Sequence, residues 1–512
     1  MIMIDKRKDS MRSLFSNSQK RQLKIIELLH HSEKLYTYNQ LEKQIQASLP
    51  SLKEDLNFIE KTFSDQMRLH LTNSGVMARF KNNISYEFFY QYYIAHSTPF
   101  QLIEQIFYQP NLTIEEAAKH FEVSVSTVYR LINQINKLTK AKYQIMLRTK
   151  PIHFEGKELD IRYFFAEYFK QKTSPLDWPF DHVPQPLMLE FVQIPFSYIE
   201  PSQSFASFRN FLLETTVNLF RIQQGYNSQL STVDQKKINA CSIILSDTHF
   251  HTIKQDVEQF FAIRIDTTQI YQIFFNYLHE SFALSTMDLM ETPDHHRSFQ
   301  LLRQMIHSLC DEFNITTENS RDLIIYLHNL VHSENFYIGN QPLLINRNQS
   351  FSQMARFLQP AFYDRIKSML DHYLAVMNIQ ISENGKEFMI VCIYTQWKEL
   401  YDYLKAYIRQ PKLMILSDFN TGHEKLVEAF IKDHFKSNIK ILHHSKIDLS
   451  YEDIKKSEAD IIISNFTIRE IPGKEIIHFS ALPNISTLKK IEEAVFRFRL
   501  KIQSDDTIWS QN

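Results

Sequence analysis

The chain has 512 residues, enough for several domains, and its 57 lysines and arginines nearly balance its 58 aspartates and glutamates. Its 7 glycines are widely scattered, which excludes the clustered glycines of phosphate-binding loops and dinucleotide-binding motifs. Three widely spaced cysteines, Cys241, Cys310 and Cys392, exclude a local metal knuckle or redox pair and predict small buried side chains.

Charge is distributed unevenly along the chain. Residues 1–157 contain 22 lysines and arginines against 15 aspartates and glutamates, whereas the remainder contains 35 against 43. A basic N-terminal part followed by an acidic body predicts that only one end meets nucleic acid. The N-terminus lacks the apolar run of a signal peptide, and no stretch of about 18 apolar residues occurs. We therefore expect a cytoplasmic protein with no membrane contact.

The first part of the chain follows the pattern of a three-helix module with a wing. Apolar spacing predicts helices over residues 19–29 and 37–45, and a third helix that begins near Pro50. Residues 67–80, with Gly75 in a turn, predict a two-stranded hairpin. This order is typical of a winged helix-turn-helix.

The third helix of this module is an ambiguous candidate for DNA reading. Lys53, Asn57 and Lys61 face outward and are candidate DNA contacts, but Glu54 and Glu60 share that face. Carboxylates would oppose the phosphates and offset the lysines. Groove binding and a scaffolding or DNA-bending role therefore both stay open.

A second winged module is predicted over residues 111–156. It follows an aromatic-rich helical stretch, residues 86–108, whose rings we expect to pack in a core. Thr113 is suited to cap a helix that runs to about Phe121. A tight corner then leads to a second helix from about Ser126, which is the expected reading helix.

The outward face of that reading helix is rich in groups that donate to phosphates or base edges. Its candidate DNA contacts are Ser126, Thr127, Tyr129, Arg130, Asn133, Gln134 and Lys137. The alternating segment 143–154 predicts the wing, with Lys142, Arg148 and Lys150 as further candidates. No acid interrupts the helix face, so the expected partner is double-stranded DNA. The alternative is an ordinary helical hairpin whose polar face is only solvated.

The middle of the chain predicts helical bundles. Proline punctuates residues 173–200, which predicts a linker. Two blocks of amphipathic helices follow over residues 203–290 and 294–405, with breaks near Pro293 and at residues 339–342. They predict two all-α bundles in tandem.

After Pro411 the pattern changes to short apolar runs that alternate with helices. The runs cover residues 413–416, 439–442, 461–463 and 476–479, and the clearest helices cover 424–435 and 486–499. Such alternation predicts a small parallel sheet covered by helices. The fold class is therefore multidomain and mainly α, with two N-terminal winged helix-turn-helix modules, two all-α bundles and a C-terminal α/β domain.

This order of modules resembles the Mga/AtxA-type family of Gram-positive transcriptional regulators over nearly the whole chain. The most specific stretches are N-L-T-I-E-E-A-A-K-H-F-E-V-S-V-S-T-V-Y-R-L-I-N and H-F-E-G-K-E-L-D-I-R-Y-F-F, the second winged module and its exit. The resemblance implies two DNA-binding modules, two regulation domains (PRDs) related to those controlled by the sugar phosphotransferase system, an EIIB-like C-terminal domain, and a homodimer. On that plan the domains are residues 1–85, 86–172, 173–290, 291–408 and 409–512.

The resemblance also implies phosphorylation sites. Regulation domains of the wider family carry histidines that accept a phosphoryl group from the phosphocarrier protein. The run I-I-L-S-D-T-H-F resembles one such motif and points to His249, while L-I-I-Y-L-H-N-L-V-H offers His328 and His332, one turn apart. A phosphoryl group adds roughly −1.5 to −2 charges, which would couple carbon supply to dimerisation and DNA affinity. The alternative for each histidine is a partly buried, hydrogen-bonded side chain.

The C-terminal domain departs from the EIIB pattern at one position. An EIIB domain carries a phosphorylated cysteine just after its first strand, whereas this chain has Ser417 and Asp418 there. Without a thiolate, cysteine phosphotransfer is not possible at that position. We therefore expect the domain to serve assembly by burying apolar surface against another subunit.

Neither an enzyme site nor a cofactor or metal is expected. His279 begins a run like the zinc-protease motif H-E-x-x-H, but Ala283 occupies the last position. The expected function is that of a DNA-binding transcriptional regulator tuned by histidine phosphorylation and dimerisation. The alternative is a sensor or anti-activator that uses its winged folds for protein contacts. Salt distinguishes the two, because affinity for DNA falls steeply as salt rises.

Overall fold

The computed structural model describes residues 11–30, 34–199, 204–228, 235–279, 281–283, 285–336, 342–398, 400–405, 410–436, 439–444 and 449–509. The chain forms two units, one of residues 1–354 with 362–398 and one of residues 355–361 with 399–512. Within the described ranges, every helix is too short or too polar to span a bilayer.

The first winged module is built as the sequence predicts. It comprises α1 (Asn17–His30), α2 (Tyr38–Ile45), α3 (Leu49–Thr62), β1 (Met67–Leu71) and β2 (Val76–Phe80), with β1 and β2 antiparallel. A capping box at Thr37 begins α2, and Pro50 lies in the first turn of α3, where its missing N–H is not needed. Gly75 is required before β2, because a Cβ there would lie 2.2 Å from the carbonyl oxygen of Tyr36.

The second winged module follows two connecting helices. The connecting helices are α4 (Tyr86–Ala95) and α5 (Thr98–Tyr108), and the module comprises α6 (Ile114–His120), α7 (Val125–Tyr143), β3 (Met146–Thr149) and β4 (Ile152–Glu155), followed by α8 (Glu158–Lys172). Phe89, Tyr93 and Phe107 of the connecting helices are buried. Phe89 meets Phe63 of the first module edge-to-face, with ring centroids 4.9 Å apart. The prediction that these rings form a core is confirmed.

Helices alone form the described part of the central region. They are α9 (Gln185–Ile199), α10 (Phe205–Gln223), α11 (Gln235–Ser246), α12 (Thr248–Phe261), α13 (Thr267–Ile273), α14 (Phe275–Leu278), α15 (Pro293–Phe313), α16 (Ser320–Phe336), α17 (Arg347–Leu358), α18 (Pro360–Val376), α19 (Glu383–Gln396) and α20 (Leu400–Lys405). The predicted break at Pro293 is confirmed, since this residue begins α15. Of the predicted turn at residues 339–342, only Pro342 lies within the described residues.

The proline-rich stretch predicted as a linker is partly a helix. α9 occupies residues 185–199 despite Pro195 in its interior. A proline inside a helix removes one hydrogen bond and costs about 3 kcal/mol. Met188, Phe191 and Val192 are fully buried, and the Phe191 ring lies 5.2 Å from that of Phe250 in α12. Burial of several large apolar side chains, at roughly 1.5–3 kcal/mol each, outweighs the cost of the proline.

The C-terminal unit contains the predicted parallel sheet. Its elements are β5 (Lys412–Leu416), α21 (Thr421–Phe435), β6 (Lys440–Leu442), α22 (Tyr451–Lys456), β7 (Ile461–Ser464), β8 (Glu475–His478) and α23 (Ile485–Trp509). The strand order is β6-β5-β7-β8, and all neighbours are parallel. Apolar residues of α21 and α23 pack on one face and those of α22 on the other. Both faces are covered, which explains why β7 reads as a continuous apolar run.

Candidate nucleic-acid interface and regulatory histidines

Two N-terminal caps fix the helices of the second winged module. The Thr113 hydroxyl accepts from the backbone N–H of Glu116, whose carboxylate accepts in return from the backbone N–H of Thr113. The hydrogen bonds from the backbone N–H and hydroxyl of Thr113 lower the pKa of Glu116. Ser124 caps α7 by accepting from the backbone N–H of Thr127. These caps determine where the reading helix begins.

The polar face of α7 is exposed along its length. The predicted apolar stripe is buried and comprises Val128, Leu131, Ile132, Ile135 and Leu138. The exposed predicted contacts are Ser126, Tyr129, Arg130, Asn133, Gln134 and Lys137. Thr127 is half-buried, and its hydroxyl lies 2.9 Å from that of Ser124, so it belongs to the cap.

Lys140 extends the basic face of α7 beyond the predicted residues. It is exposed and lies one turn after Lys137, which itself lies two turns after Arg130. Among the described residues, none of these three cations has an ion-pair partner. Helical spacing of the basic residues could have identified Lys140 from the sequence.

Asn136 joins α7 to its wing. Its side-chain N–H donates to the carbonyl oxygen of Leu147 at 3.0 Å, and its carbonyl oxygen accepts from the Leu147 N–H at 2.5 Å. Both backbone groups of one residue in β3 are therefore satisfied by one side chain on the helix. This pair fixes the wing relative to the reading helix. Sequence reasoning missed Asn136, because a lone polar residue on a helix reads as solvated.

The three basic candidates near the wing lie in different surroundings. Lys150 is exposed at the tip of the hairpin. Arg148 is exposed and forms an ion pair with Glu155 on the partner strand. Lys142 is half-buried, and its ammonium group donates to the carbonyl oxygen of Pro342 at 2.6 Å. Lys142 thus contacts the regulation region rather than open solvent.

The third helix of the first module, α3, exposes both lysines and glutamates, and it is held to α1 by a buried aspartate. The residues predicted to be outward are all exposed, namely Lys53, Glu54, Asn57, Glu60 and Lys61. Asp55 is 2% exposed and accepts from Arg21 at 2.7 Å and from Gln22 at 3.0 Å. This buried contact ties α3 to α1. The structure therefore brings the predicted lysines to the surface together with their carboxylates.

The first wing carries two arginines that sequence reasoning missed. Arg68 in β1 lies directly opposite Arg79 in β2, and both are exposed, while Leu69 and Ala78 fill the buried face. In the described part of the chain neither guanidinium has an ion-pair partner. Like charges directly opposite each other on neighbouring strands destabilise the sheet. A bound anion between the two arginines would remove this repulsion. The alternation of apolar and polar residues along both strands could have identified this arginine pair from the sequence.

His249 is an exposed histidine near the N-terminus of α12. Its side chain is 65% exposed, and its Nε2 atom lies 3.5 Å from a carboxylate oxygen of Glu190 in α9. Asp247 caps α12 by accepting from the backbone N–H groups of His249 and Phe250. A negative charge added to this ring would be favoured by the helix dipole and opposed by Glu190.

His328, in α16, is fully buried. Its Nδ1 atom lies 2.9 Å from the Ser298 hydroxyl, which lies 2.7 Å from the Tyr373 hydroxyl. Its Nε2 atom lies 3.1 Å from the carbonyl oxygen of Ser281, so this nitrogen carries a proton and donates. Both ring nitrogens are engaged within the fold. The side chain of His332, on the same helix, lies outside the described residues.

The end of β5 carries a serine that is part of a local hydrogen-bond network. The Ser417 hydroxyl lies 2.8 Å from Nδ1 of His423 and accepts from the backbone N–H of Phe419 at 3.1 Å. Nε2 of His423 lies 2.5 Å from the carbonyl oxygen of Ala481. Ser417 therefore shapes the loop that follows the first strand of the sheet.

The prediction that the cysteines are buried is confirmed for two of the three and is wrong for Cys310. Cys241 and Cys392 are buried, and burial raises the pKa of each thiol to about 12. Cys310 is only partly buried, and burial also raises its pKa. Neither buried thiol is a thiolate near neutral pH.

Two known proteins are similar to this chain over nearly its whole length, and a third is similar over a smaller part. A trans-acting regulator of Streptococcus pneumoniae is 26% identical over 95% of this chain and 99% of the relative. The anthrax toxin expression trans-acting positive regulator of Bacillus anthracis is 20% identical over 92% of this chain and 98% of the relative. The capsule synthesis positive regulator AcpB of Bacillus anthracis is 22% identical over 41% of this chain and 44% of the relative.

Three family models match consecutive parts of the chain. The M protein trans-acting positive regulator (MGA) HTH domain matches residues 16–75, and the Mga helix-turn-helix domain matches residues 82–169. The M protein trans-acting positive regulator (MGA) PRD domain matches residues 185–400. These matches coincide with the two winged modules and the helical region described above. The chain belongs to the Mga family of helix-turn-helix transcriptional regulators with a PRD region, a family of regulators rather than of enzymes.

Proposed function

We propose that this protein regulates transcription by binding double-stranded DNA through its basic N-terminal third. The proposal rests on one face of α7. On this face Arg130, Lys137 and Lys140 are exposed beside the amide of Asn133 and other amide or hydroxyl side chains. Cations of this kind neutralise phosphates, and amides can donate to base edges in a major groove. The names of the two Bacillus anthracis relatives favour activation over repression.

The proposed contacts divide into readers and anchors. Within α7, Asn133 and Gln134 are the proposed base readers, while Arg130 and Lys137 contact phosphates or guanine edges. Ser126 and Tyr129 begin the same face, and the wing adds Arg148 and Lys150. Thr127 is a weaker candidate, because it is half-buried and its hydroxyl lies beside that of Ser124 in the cap. Lys142 is the weakest member, because it already donates to Pro342.

In the first module we propose that the wing contributes more than α3. Lys53, Asn57 and Lys61 share their helix face with two glutamates, whereas Arg68 and Arg79 oppose each other without an acid partner in the described residues. Phosphate contacts by this wing position the protein without reading sequence. The first module would then anchor the protein while the second reads.

The test compares two double variants of equal charge change. Arg130→Ala/Lys137→Ala removes two cations from α7, and Arg303→Ala/Lys367→Ala removes two exposed cations from the second bundle. Each lost phosphate contact lowers the slope of log K against log salt by about 0.9. We expect the α7 variant to bind promoter fragments more weakly with a slope reduced by roughly 1–2, while the control variant binds like the wild type. Equal binding by both variants would contradict the assignment of α7.

The alternative is a sensor or anti-activator whose winged modules bind protein. No specific contact in the described residues favours it, but the same measurements distinguish it. If the protein were of that kind, the wild type would bind every duplex weakly, and the two double variants would bind DNA with equal affinity. A titration of genomic fragments, including A·T-rich and curved duplexes, separates the two functions.

For regulation we propose that His249 accepts a phosphoryl group from the phosphocarrier protein of the sugar phosphotransferase system. Its exposure supports this, and so does its position at the N-terminus of α12, where negative charge is favoured. Phosphorylation would place a negative charge beside the Glu190 carboxylate, and the resulting repulsion would loosen the contact between α9 and α12. His328 would need the bundle to open first, and His332 remains a second candidate.

The phosphorylation proposal is tested by incubation with the purified phosphotransfer proteins and mapping of acid-labile phosphate. We expect label at His249 and loss of that label in His249→Ala. His251, an exposed histidine one half-turn further along α12, supplies the matched control variant, His251→Ala. Label that persists unchanged in His249→Ala would refute the assignment.

We further propose a homodimer that forms through the EIIB-like C-terminal unit. Leu426 and Phe430, one turn apart on α21, are 55% and 41% exposed, and Phe419 is 61% exposed. Contiguous exposed apolar side chains mark protein contacts. Sedimentation should show a dimer for the wild type and for the control Met354→Ser, and a monomer for Leu426→Ser/Phe430→Ser. A dimer that persists in the latter would exclude this face.

The five segments 1–85, 86–172, 173–290, 291–408 and 409–512 then have distinct proposed tasks. The first two bind DNA, the next two receive the phosphorylation signal, and the last one assembles the dimer. Dimerisation brings two sets of winged modules to one duplex, which raises affinity through multivalency.

A further inference from the structure

A cavity of about 490 Å³ lies where the winged modules meet the helical regulation region. Its walls come from α4 and α8 on one side and from α10, residues 342–348 and α19 on the other. The volume lies within the range of small-molecule sites, about 300–1,000 Å³. None of the DNA contacts or histidines proposed above lines it.

The charged groups of this cavity leave one cation without an acid partner. Arg347 donates to Glu87 through two nitrogens, and Lys170 lies 3.2 Å from Glu167. Arg209 donates only to the carbonyl oxygen of Ser174, at 3.0 Å, and no carboxylate in the described ranges lies within ion-pair distance. Burial, together with the nearby charge of Arg347, lowers the pKa of Arg209, and the more distant carboxylate of Asp177 only partly opposes this effect. A half-buried guanidinium beside another cation is costly unless an anion accompanies it.

The rest of the lining is rich in amides. Gln91, Asn210, Asn346 and Asn348 surround the charged groups. An amide both donates and accepts, which matches the hydroxyl groups of a polyol. The lining thus combines a site for an oxyanion with partners for several hydroxyls.

We propose that this cavity binds a small hydroxylated phosphate monoester, with Arg209 as the anchoring cation. Arg209 presents a planar fork that can bind two phosphate oxygens at once. The ligand would bridge helices from both the DNA-binding and the regulation parts. If the proposed DNA binding is correct, ligand and DNA would alter each other's affinity by the same factor. Ligand binding itself does not depend on that function and is measured without DNA.

The test uses calorimetry on the full chain with three probes: glucose 6-phosphate, inorganic phosphate and glucose. We expect saturable binding of glucose 6-phosphate, weaker binding of inorganic phosphate and none of glucose. No binding of glucose 6-phosphate up to concentrations on the order of 10 mM, or equal binding of glucose, would overturn the proposal. Equal affinity for inorganic phosphate would overturn the hydroxylated class.

Variants locate the site. Arg209→Ala should weaken binding of glucose 6-phosphate at least about tenfold, because charge-assisted hydrogen bonds are lost. Arg303→Ala, at an exposed residue of α15, should not change it. Circular dichroism verifies folding, and Arg209→Lys gives a second variant that retains the charge but loses the fork. Undiminished binding by folded Arg209→Ala would place the ligand elsewhere.

Discussion

The arginines that face each other across the first wing give a prediction in which stability and DNA affinity move independently. Arg68 and Arg79 are direct cross-strand partners, and such partners have Cβ atoms about 4.5–5.5 Å apart. Two unit charges about 5 Å apart in water repel by roughly 0.8 kcal/mol. Both side chains are exposed and can separate, so this value is an upper limit. Arg68→Gln/Arg79→Gln should therefore preserve the free energy of unfolding or raise it slightly.

The same double variant should weaken DNA binding. If each guanidinium neutralises one phosphate, the slope of log K against log salt falls by about 0.9 for each, or roughly 1.8 together. The loss should be similar for all duplex sequences, because phosphate contacts carry no sequence information. This double variant therefore distinguishes arginines that stabilise the wing from arginines that bind DNA.

Fluorescence anisotropy with a labelled duplex at several salt concentrations measures the slope, and thermal melting followed by circular dichroism measures stability. Arg303→Ala/Lys367→Ala provides the control for a general change of charge. A clear fall in melting temperature together with an unchanged slope would refute the reasoning, since the arginines would then stabilise the wing and not contact DNA.

Three further predictions concern the interior. Asn136→Ala leaves the backbone N–H and carbonyl of Leu147 without their side-chain partner, so chemical denaturation should show a loss of about 1–3 kcal/mol, whereas Asn133→Ala on the exposed face should show almost none. Burial raises the pKa of Glu214 above its ordinary value of 4.5, so the folded state binds a proton more tightly than the unfolded state and stability falls as pH rises above that value. Glu214→Gln should therefore be more stable than the wild type at pH 7, and this difference in stability should disappear below about pH 4.5. An equal difference at both pH values would contradict this. Because burial raises the pKa of the Cys392 thiol to about 12, iodoacetamide should label that residue only after unfolding, and fast labelling of the native protein would show that it is accessible.

The elements of both winged modules could be predicted because their signals are local. Capping at Thr113 and helical spacing of apolar residues determine where α6 and α7 begin, and the structure agrees within one or two residues. Gly75 also marked the turn of the first wing, because glycine itself is typical of turns. Signals of this range are legible in a single sequence.

Other features depend on partners far along the chain. The helix around Pro195 forms because tertiary burial outweighs a local penalty. Asp55 is buried because Arg21 and Gln22 lie above it. His249 and His328 look alike in sequence, yet one is exposed and the other is enclosed by a serine and a carbonyl oxygen. Composition and spacing do not specify such contacts.

The most direct test of the central claim measures wild-type binding to a duplex as a function of salt. We expect log K to fall linearly with log salt with a steep negative slope. Affinity that is equally weak at all salt concentrations, and no greater than for a neutral polymer, would contradict the conclusion that the basic N-terminal third binds DNA.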